Sequence, residues 1–231
     1  MITILDIFGT FVFAISGAFR AVKHELDLLG VLVLAVATGV GGGIVRDTLL
    51  GNTPPAAFQD ETYLLICFLG GLLVFVWSRK IAPQWDCVMV ADAVGLGVFA
   101  AIGAAKASIC GLGTVGIIMM AAITATGGGV IRDMLVREIP AILKSDFYAS
   151  SALIGGGCFV IAGALGWTSS VQLACAMAVT ISLRIIDMKY GISLPRVKSL
   201  PASPSQLAKK RKAKTGHGDR KPDKNTKNSG I

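Results

Sequence analysis

The decapeptide TGVGGGIVRD, Thr38 to Asp47, places three glycines, an arginine and an aspartate inside an otherwise apolar run. The pattern returns 86 positions later as TATGGGVIRD, Thr124 to Asp133. Carboxylates, guanidinium groups and loosened backbone carbonyls in such surroundings can bind ions or small charged solutes, or pair with one another. The two decapeptides therefore contain the candidate functional residues, and the elements that hold them must be identified.

The composition is that of a protein embedded in a membrane. Hydrophobic residues make up 53% of the 231-residue chain, charged residues make up 16%, and the mean hydropathy is +0.68. A soluble domain carries about 25% charged residues. Residues 189–231 hold twelve Lys/Arg and two Asp/Glu, a net charge of +10, so residues 1–188 carry −2 of the chain's net +8. Because the basic residues follow the apolar body, nucleic acid is not an expected partner.

The apolar residues fall into segments long enough to cross a bilayer, which takes about 20 residues of helix. Seven segments are predicted to do so: 2–21, 28–50, 62–78, 87–106, 113–137, 148–166 and 168–186. Lysine and arginine concentrate in the first, third and fifth connections and in the tail, which predicts an external N-terminus and a cytoplasmic C-terminus. The tail is predicted to be disordered, either as a solvated topology anchor or attracted to anionic lipids.

The first half of the chain repeats in the second half without a gap. A shift of 86 places Asp6 on Asp92 and Gly9 on Gly95, and it aligns the two decapeptides. We predict one three-helix repeat in residues 1–86 and another in 87–167, a seventh helix in 168–188 and the tail in 189–231. Because three is odd, the repeats must enter the membrane from opposite faces, which gives an inverted 3+3 repeat with a site near the midplane.

The glycine triplets Gly41, Gly42, Gly43 and Gly127, Gly128, Gly129 lie within the second and fifth helices. Each glycine weakens a helix by about 1 kcal/mol relative to alanine. We therefore expect the helices to be interrupted there, with carbonyls facing a hydrated cavity. The alternative is that the triplets are surfaces for close helix packing.

The charges beside the triplets need partners. Adjacent helical residues point in different directions, so Arg46 is expected to pair across the symmetry axis with Asp133, and Arg132 with Asp47. Alternatively, each arginine bonds carbonyls freed at the opposite triplet, or the ion pairs only lock the repeats together. Such a site would have nearly zero side-chain charge, so exposed carbonyls and helix C-termini would favour small cations.

Other polar residues are open to two interpretations or need no functional role. Thr38, Thr124 and Thr126 could offer hydroxyl oxygens to an ion, or bond back to the preceding helical turn. Asp6 and Asp92 are interpreted as N-terminal charges that favour the helix dipole. Pro54 and Pro140 are interpreted as helix stops.

Nothing in the sequence predicts an enzyme, a bound metal or a cofactor. GVGGGI does not have the GxGxxG spacing, and no phosphate-binding loop, HExxH or nucleophile elbow is present. The five cysteines lack metal or disulfide spacing. His24 and His217 are interpreted as solvated.

GGGIVRD and GGGVIRD in a duplicated three-helix unit resemble the prokaryotic trimeric intracellular cation (TRIC) channel family, and equally the bacterial glycine-transporter domain. The resemblance covers residues 1 to about 188. It implies a homotrimer in which each subunit has a pore between its repeats, lined by the second and fifth helices. It also implies passage of monovalent cations, chiefly potassium. Animal members carry lysine-containing versions of the motif, so their regulation does not transfer to this chain.

The sequence thus leads to two functional hypotheses for a multi-pass protein of the prokaryotic inner membrane. The first is a potassium-permeable channel. The second is a secondary transporter of a small zwitterion such as glycine, because an arginine beside a broken helix could hold a carboxylate. A scaffolding role without transport is the third alternative.

Overall fold

The computed structural model describes residues 1–81, 85–144 and 147–190, and the predicted tail lies outside them from residue 191 onward. The described part is all α-helical. Its helices are α1 (Ile2–Lys23), α2 (Leu28–Leu49), α3 (Ala56–Gln59), α4 (Thr62–Ile81), α5 (Trp85–Ile109), α6 (Thr114–Leu135), α7 (Ala141–Lys144), α8 (Ala149–Ala164) and α9 (Ser169–Tyr190). The same order of two long helices, one short turn and a further long helix occurs twice before α9.

Five of the described helices are long and apolar enough to cross a membrane: α1, α2, α5 from Met89, α6 and α9. The remaining two long helices contain shorter apolar stretches, Thr62–Trp77 in α4 and Ala149–Ala164 in α8. The seven predicted segments therefore coincide with the seven long helices, although the number of membrane crossings stays a prediction. Apolar side chains such as Leu29 and Val76 remain exposed on the outside of the bundle, as expected for a surface in lipid.

The two repeats are inverted relative to each other. Asp6, near the start of α1, contacts Lys106, near the end of α5. Ser16, in the second half of α1, contacts Asp92, near the start of α5. The first helices of the two repeats therefore run antiparallel side by side, which confirms the inverted arrangement.

The second helices of the repeats, α2 and α6, cross at their glycine triplets. A Cβ atom on Gly42 would overlap the backbone carbonyl of Thr124, and one on Gly128 would overlap the carbonyl of Thr38. Only glycine lets the two backbones approach this closely. This reciprocal contact lies on the axis that relates the repeats.

The prediction that α2 and α6 are interrupted at the triplets is wrong. Both helices continue through the glycines, to Leu49 and Leu135. The alternative interpretation of the triplets as close-packing surfaces is correct. Close packing compensates for the weak helix propensity of glycine, because the carbonyls stay in the helix while the missing side chains give room to the neighbouring backbone.

Aromatic side chains fill the centre of the bundle beside this crossing. Phe13 of α1 and Phe99 of α5 are related by the 86-residue shift, and their ring centroids lie 5.1 Å apart. Both rings are buried. The centre of the bundle is therefore apolar and tightly packed beside the crossing.

The ninth helix extends the second half of the bundle. α9 packs against α5 and α8, where the Thr180 hydroxyl bonds to the carbonyl of Ala176 in its own helix. Arg184 of α9 lies over the ring of Tyr148, with its guanidinium carbon 4.9 Å from the ring centroid. The seventh long helix thus covers the second repeat, and no described helix takes the equivalent place on the first.

The glycine crossing predicts a selective sensitivity to added methyl groups. Gly128→Ala is expected to lower the free energy of unfolding by about 1–3 kcal/mol, because the new methyl group meets a backbone carbonyl that cannot move away. Gly157→Ala, on α8, meets nothing within 4 Å and should be neutral or slightly stabilising. Thermal or denaturant unfolding of the purified proteins in detergent measures both; equal effects would contradict the proposed role of the crossing.

Candidate functional site

The first cluster of charges consists of Asp6, Arg46, Asp47 and Lys106. Arg46 donates from Nη2 and Nη1 to the two carboxylate oxygens of Asp6, at 3.0 and 3.2 Å, and from Nε to Asp47 Oδ1 at 2.8 Å. Lys106 Nζ lies 3.3 Å from both carboxylates. The arginine and the two aspartates are no more than 2% exposed. Two positive and two negative side chains therefore cancel in a buried position.

The second cluster consists of Arg20, Asp92, Arg132 and Asp133. Arg132 donates from Nη1 to Asp92 Oδ1 at 2.6 Å and from Nε to Asp133 Oδ1 at 2.9 Å. Arg20 Nη2 approaches Asp133 Oδ1 at 3.6 Å. The hydroxyl of Ser16 accepts from Arg132 at 2.8 Å and donates to Asp92 at 3.3 Å.

The two clusters are equivalent under the 86-residue shift. Each arginine lies between the aspartate that follows it and an aspartate from the first helix of its own repeat. Each cluster also receives one cation from the opposite repeat, Lys106 in the first and Arg20 in the second. Since Lys106 is the counterpart of Arg20 in the sequence, the repeats exchange these two side chains and are held together by them.

The predicted pairs Arg46–Asp133 and Arg132–Asp47 are wrong. α2 and α6 run in opposite directions from their crossing at the glycines, so residues four positions beyond it diverge to opposite ends of the bundle. The objection to an Arg46–Asp47 pair is also wrong. The backbone directions of adjacent residues do differ, but the long arginine side chain brings Nε back to the neighbouring carboxylate.

The interpretation of Asp6 and Asp92 as helix-dipole charges is wrong as well. Asp6 lies four residues after the start of α1, Asp92 lies seven residues after the start of α5, and both side chains are buried. Their role is to provide the counter-charge for Arg46 and Arg132. A buried arginine without a counter-charge would lower the free energy of unfolding by about 3–5 kcal/mol.

The segment that follows each arginine–aspartate pair folds back over it. The second carboxylate oxygen of Asp47 accepts from the backbone N–H of Ala56 at 3.1 Å, and that of Asp133 accepts from Ala141 N–H at 2.8 Å. The prolines Pro54 and Pro140 lie in these segments, after the ends of α2 and α6, as predicted for helix stops. The carboxylates therefore fix both the arginines and the connections that cover them.

Two of the three threonines bond back to the preceding helical turn, which is the second of the two interpretations given above. Thr38 and Thr126 donate their hydroxyls to the carbonyls of Leu34 and Ala122 one turn earlier, at 2.6 and 2.8 Å. The hydroxyl of Thr124 is buried without a hydrogen-bond partner in the described part of the chain. The predicted site residue Gly43 lies beside the guanidinium of Arg46. A Cβ atom built on Gly43 would lie 3.5 Å from Nη2 of that arginine.

A polar cavity opens beside the first cluster. Its volume is about 410 Å³, and it is lined by Asp47 and Lys106 together with Asn52 of the α2–α3 connection and Gln59 of α3. A second, much smaller space of about 10 Å³ is lined by Arg46, Tyr63 and Phe99, and it shares Asp47 with the larger cavity. Water or a hydrated ion in the larger cavity would therefore lie next to Asp47 and Lys106.

Three side chains that contact the arginine–aspartate pairs are not among the site residues predicted from the sequence: Arg20, Lys106 and Ser16. A usable signal for the first two exists, because they coincide under the 86-residue shift and are both basic. No comparable signal marks Ser16, since its counterpart is Ile102.

The clusters predict which basic residues the fold requires. Arg46→Ala should lower the free energy of unfolding by about 3–5 kcal/mol, because two buried aspartates lose their main partner. Arg137→Asn is the matched control, since Arg137 is exposed in the connection after α6 and its positive φ of 58° suits asparagine. Unfolding in detergent is the measurement. A loss for Arg46→Ala no larger than for the control would contradict the role of the cluster.

The comparisons with known proteins agree with this architecture. The profile of the family described as "Glycine transporter" matches residues 3–79 and 89–164, once in each repeat. The UPF0126 inner membrane protein YadS of Escherichia coli K12 is 42% identical over 197 residues, which cover 83% of this chain and 93% of that protein.

Two solved structures have the same fold. One, from work on conductance through TRIC cation channels, is 42% identical with a TM-score of 0.80 and covers 87% of this chain and 98% of its own. The TRIC trimeric intracellular cation channel orthologue from Rhodobacter sphaeroides is 35% identical with a TM-score of 0.79, over 83% of this chain and 98% of that one. With its apolar helices and inverted repeat, this chain is a multi-pass membrane protein that belongs to the glycine-transporter (UPF0126) family and has the fold of prokaryotic TRIC channels.

Proposed function

We propose that the protein is a monovalent cation channel, permeable to potassium, with one path in each subunit between the two repeats. The observation that carries this proposal is the pair of buried, charge-balanced clusters at opposite ends of one inverted repeat. The structures that share the fold come from cation channels. The path would run from the cavity at Asp47 past Phe13 and Phe99 to Asp133.

The electrostatics of this path favour cations over anions. Each cluster has balanced side-chain charge, so it neither repels nor traps a monovalent ion strongly. The C-terminal ends of α2 and α6, at Leu49 and Leu135, come two residues after Asp47 and Asp133. A helix C-terminus carries a partial negative charge of roughly half an elementary unit. Both ends of the path thus combine carboxylate oxygens with negative helix ends, and oxygen ligands suit small cations.

The centre of the path is the proposed barrier. Phe13 and Phe99 pack against each other at the midplane, between the two clusters. A hydrophobic constriction stops ions because it excludes water. In this arrangement conduction requires the two rings to separate, and the antiparallel α1 and α5 that carry them would have to move relative to each other.

The proposed trimer is supported by the solved structures of similar fold, and the proposed membrane orientation is supported by the distribution of Lys and Arg along the sequence. A homotrimer in the bacterial inner membrane, in contact with the lipid bilayer, is supported by the trimeric channel with the same fold and by the inner membrane relative. An external N-terminus is supported by Arg20 and Lys23 at the end of α1 and by the absence of basic residues before Arg20. The attraction of the basic tail to anionic lipids concerns residues outside the described part of the chain.

One observation favours the second hypothesis, a carrier for a small zwitterion. The polar cavity presents a carboxylate, Asp47, and an ammonium group, Lys106, on the same wall. These groups complement the ammonium and carboxylate of an amino acid such as glycine, and the family description names that solute. In the structure Asp47 and Lys106 are 3.3 Å apart and already pair with each other, so the solute would have to displace this contact.

Reconstitution separates the two functions. Purified protein in planar bilayers under a potassium gradient should show unitary currents, whereas liposomes should show no saturable uptake of labelled glycine. Glycine counterflow without unitary current would support the carrier instead. Folded protein that is inactive in both assays would support neither.

The proposed barrier can be tested in the same bilayers. Phe13→Ala should raise the potassium current at least several-fold, because it opens an apolar constriction at the midplane. Phe8→Ala on the same helix is the matched control, since Phe8 is 48% exposed on the outside of the bundle and its removal should leave the current unchanged. A current that is equal in the wild type and in both variants would place the barrier elsewhere.

A further inference from the structure

The two ends of the inverted repeat differ in several ionisable side chains. Beside the second cluster lie Glu138, which follows α6, His24, which follows α1, and Lys144 of α7. The 86-residue shift places Asn52, Cys110 and Phe58 opposite these three, and it places Gly51, Ile109 and Gly111 opposite Arg137, Lys23 and Glu25. Glu138 and His24 contact each other directly, and this pair distinguishes the second end from the first.

Glu138 joins the end of α1 to the end of α6. Its Oε1 lies 2.9 Å from Nε2 of His24, and its Oε2 accepts from Nη1 of Arg20 at 3.2 Å. Arg20 also approaches Asp133, so the carboxylate is connected to the buried cluster through one guanidinium group. The side chains of Glu138 and His24 are 28% and 31% exposed, which lets water and protons reach them.

Glu138 stays ionised over the range in which a histidine titrates. Burial acts to raise its pKa, but the positive charge of Arg20 and the contact with His24 outweigh burial and hold the pKa below its ordinary value. A histidine side chain changes its charge between about pH 5 and 8. The other charged side chains on the segments that meet here are Lys23 and Glu25 beside His24, Arg137 beside Glu138, and Lys144 of α7.

The charge at this end rises by one unit when His24 is protonated, and equally when Glu138 is lost. The cluster residues Arg20, Arg132, Asp92 and Asp133 cancel one another. Either change therefore adds one positive charge beside the cluster, at the place where a cation would enter the proposed path.

We propose that Glu138 and His24 form a proton-responsive selectivity site at the end of the cation path where α1 and α6 end. Glu138 lowers the positive charge at this entrance, and protonation of His24 raises it by one unit, so that cations enter less readily. The inference rests on the proposed channel function and adds to it a determinant of ion preference that acts from one side of the membrane only. At the other end, Asn52 and Cys110 provide no equivalent response.

The expected size of the effect follows from Coulomb's law. One unit charge about 8 Å from an ion in water changes the local ion concentration about twofold. The effect should weaken at high salt, because the Debye length falls from about 10 Å at 0.1 M to about 3 Å at 1 M.

Acidification of one bath at a time tests the role of His24. Potassium current through the wild type in planar bilayers at 0.1 M salt should fall about twofold when one bath, and not the other, goes from pH 8 to 5.5. His24→Gln should abolish this response. His217→Gln removes the only other histidine of the chain and should retain it. An equal response from both sides, or one that survives in His24→Gln, would overturn the proposal.

Charge rescue tests the role of Glu138. Glu138→Gln should lower the potassium current and the potassium-to-chloride permeability ratio at pH 8, about twofold each. Adding Lys144→Gln restores the net charge of the wild type and should recover the current. If the role of Glu138 were purely structural, removing a second polar contact would not recover the current. A single variant with unchanged current, or a double variant as impaired as the single one, would contradict the inference.

Failure of the inference and failure of the proposed function give different results. Folded wild-type protein that carries no potassium at pH 8 overturns the channel proposal and this inference with it. A wild type that conducts potassium but shows no one-sided response to pH overturns the inference alone.

Discussion

An arginine held between two carboxylates in an apolar bundle is the interaction on which the rest of the structure depends. Arg46 and Arg132 are almost fully buried, and each is neutralised by one aspartate beside it and another from the first helix of its repeat. Removing one partner from such a group costs about 3–5 kcal/mol. The first and second helices of a repeat must therefore stay together, and the cation supplied by the opposite repeat ties the halves to each other.

The inversion of the repeats places this local requirement at both ends of the bundle. Because α1 and α5, and likewise α2 and α6, run antiparallel, equivalent clusters come to lie at opposite ends. The glycine crossing and the Phe13–Phe99 pair occupy the centre. This order of polar, apolar and polar layers arises from one duplicated sequence, and the proposed channel function uses it as two polar ends and a central barrier.

Duplication also leaves each half free to change on its own. α9 covers only the second half, where Arg184 lies over Tyr148. Glu138 and His24 modify only the second end, whereas the first end opens into a polar cavity at Asp47 and Lys106. The charged residues of the clusters are more constrained, because each is a counter-charge for another: Arg20 is replaced only by another cation, Lys106.

The sequence by itself determined the all-α class and the inverted repeat, and it singled out the two arginine–aspartate pairs. The length of the apolar segments, the constant shift of 86 residues and the odd number of helices in each repeat can all be read from the order of the residues. It did not determine the partners of Arg46, Asp6 and Lys106, or whether the glycines break or pack α2 and α6. The ion-pair partners depend on how far a long side chain reaches, and the role of the glycines depends on which helices pack against each other. Only the tertiary structure fixes such distances, because side-chain reach and helix contact join residues that are far apart in sequence.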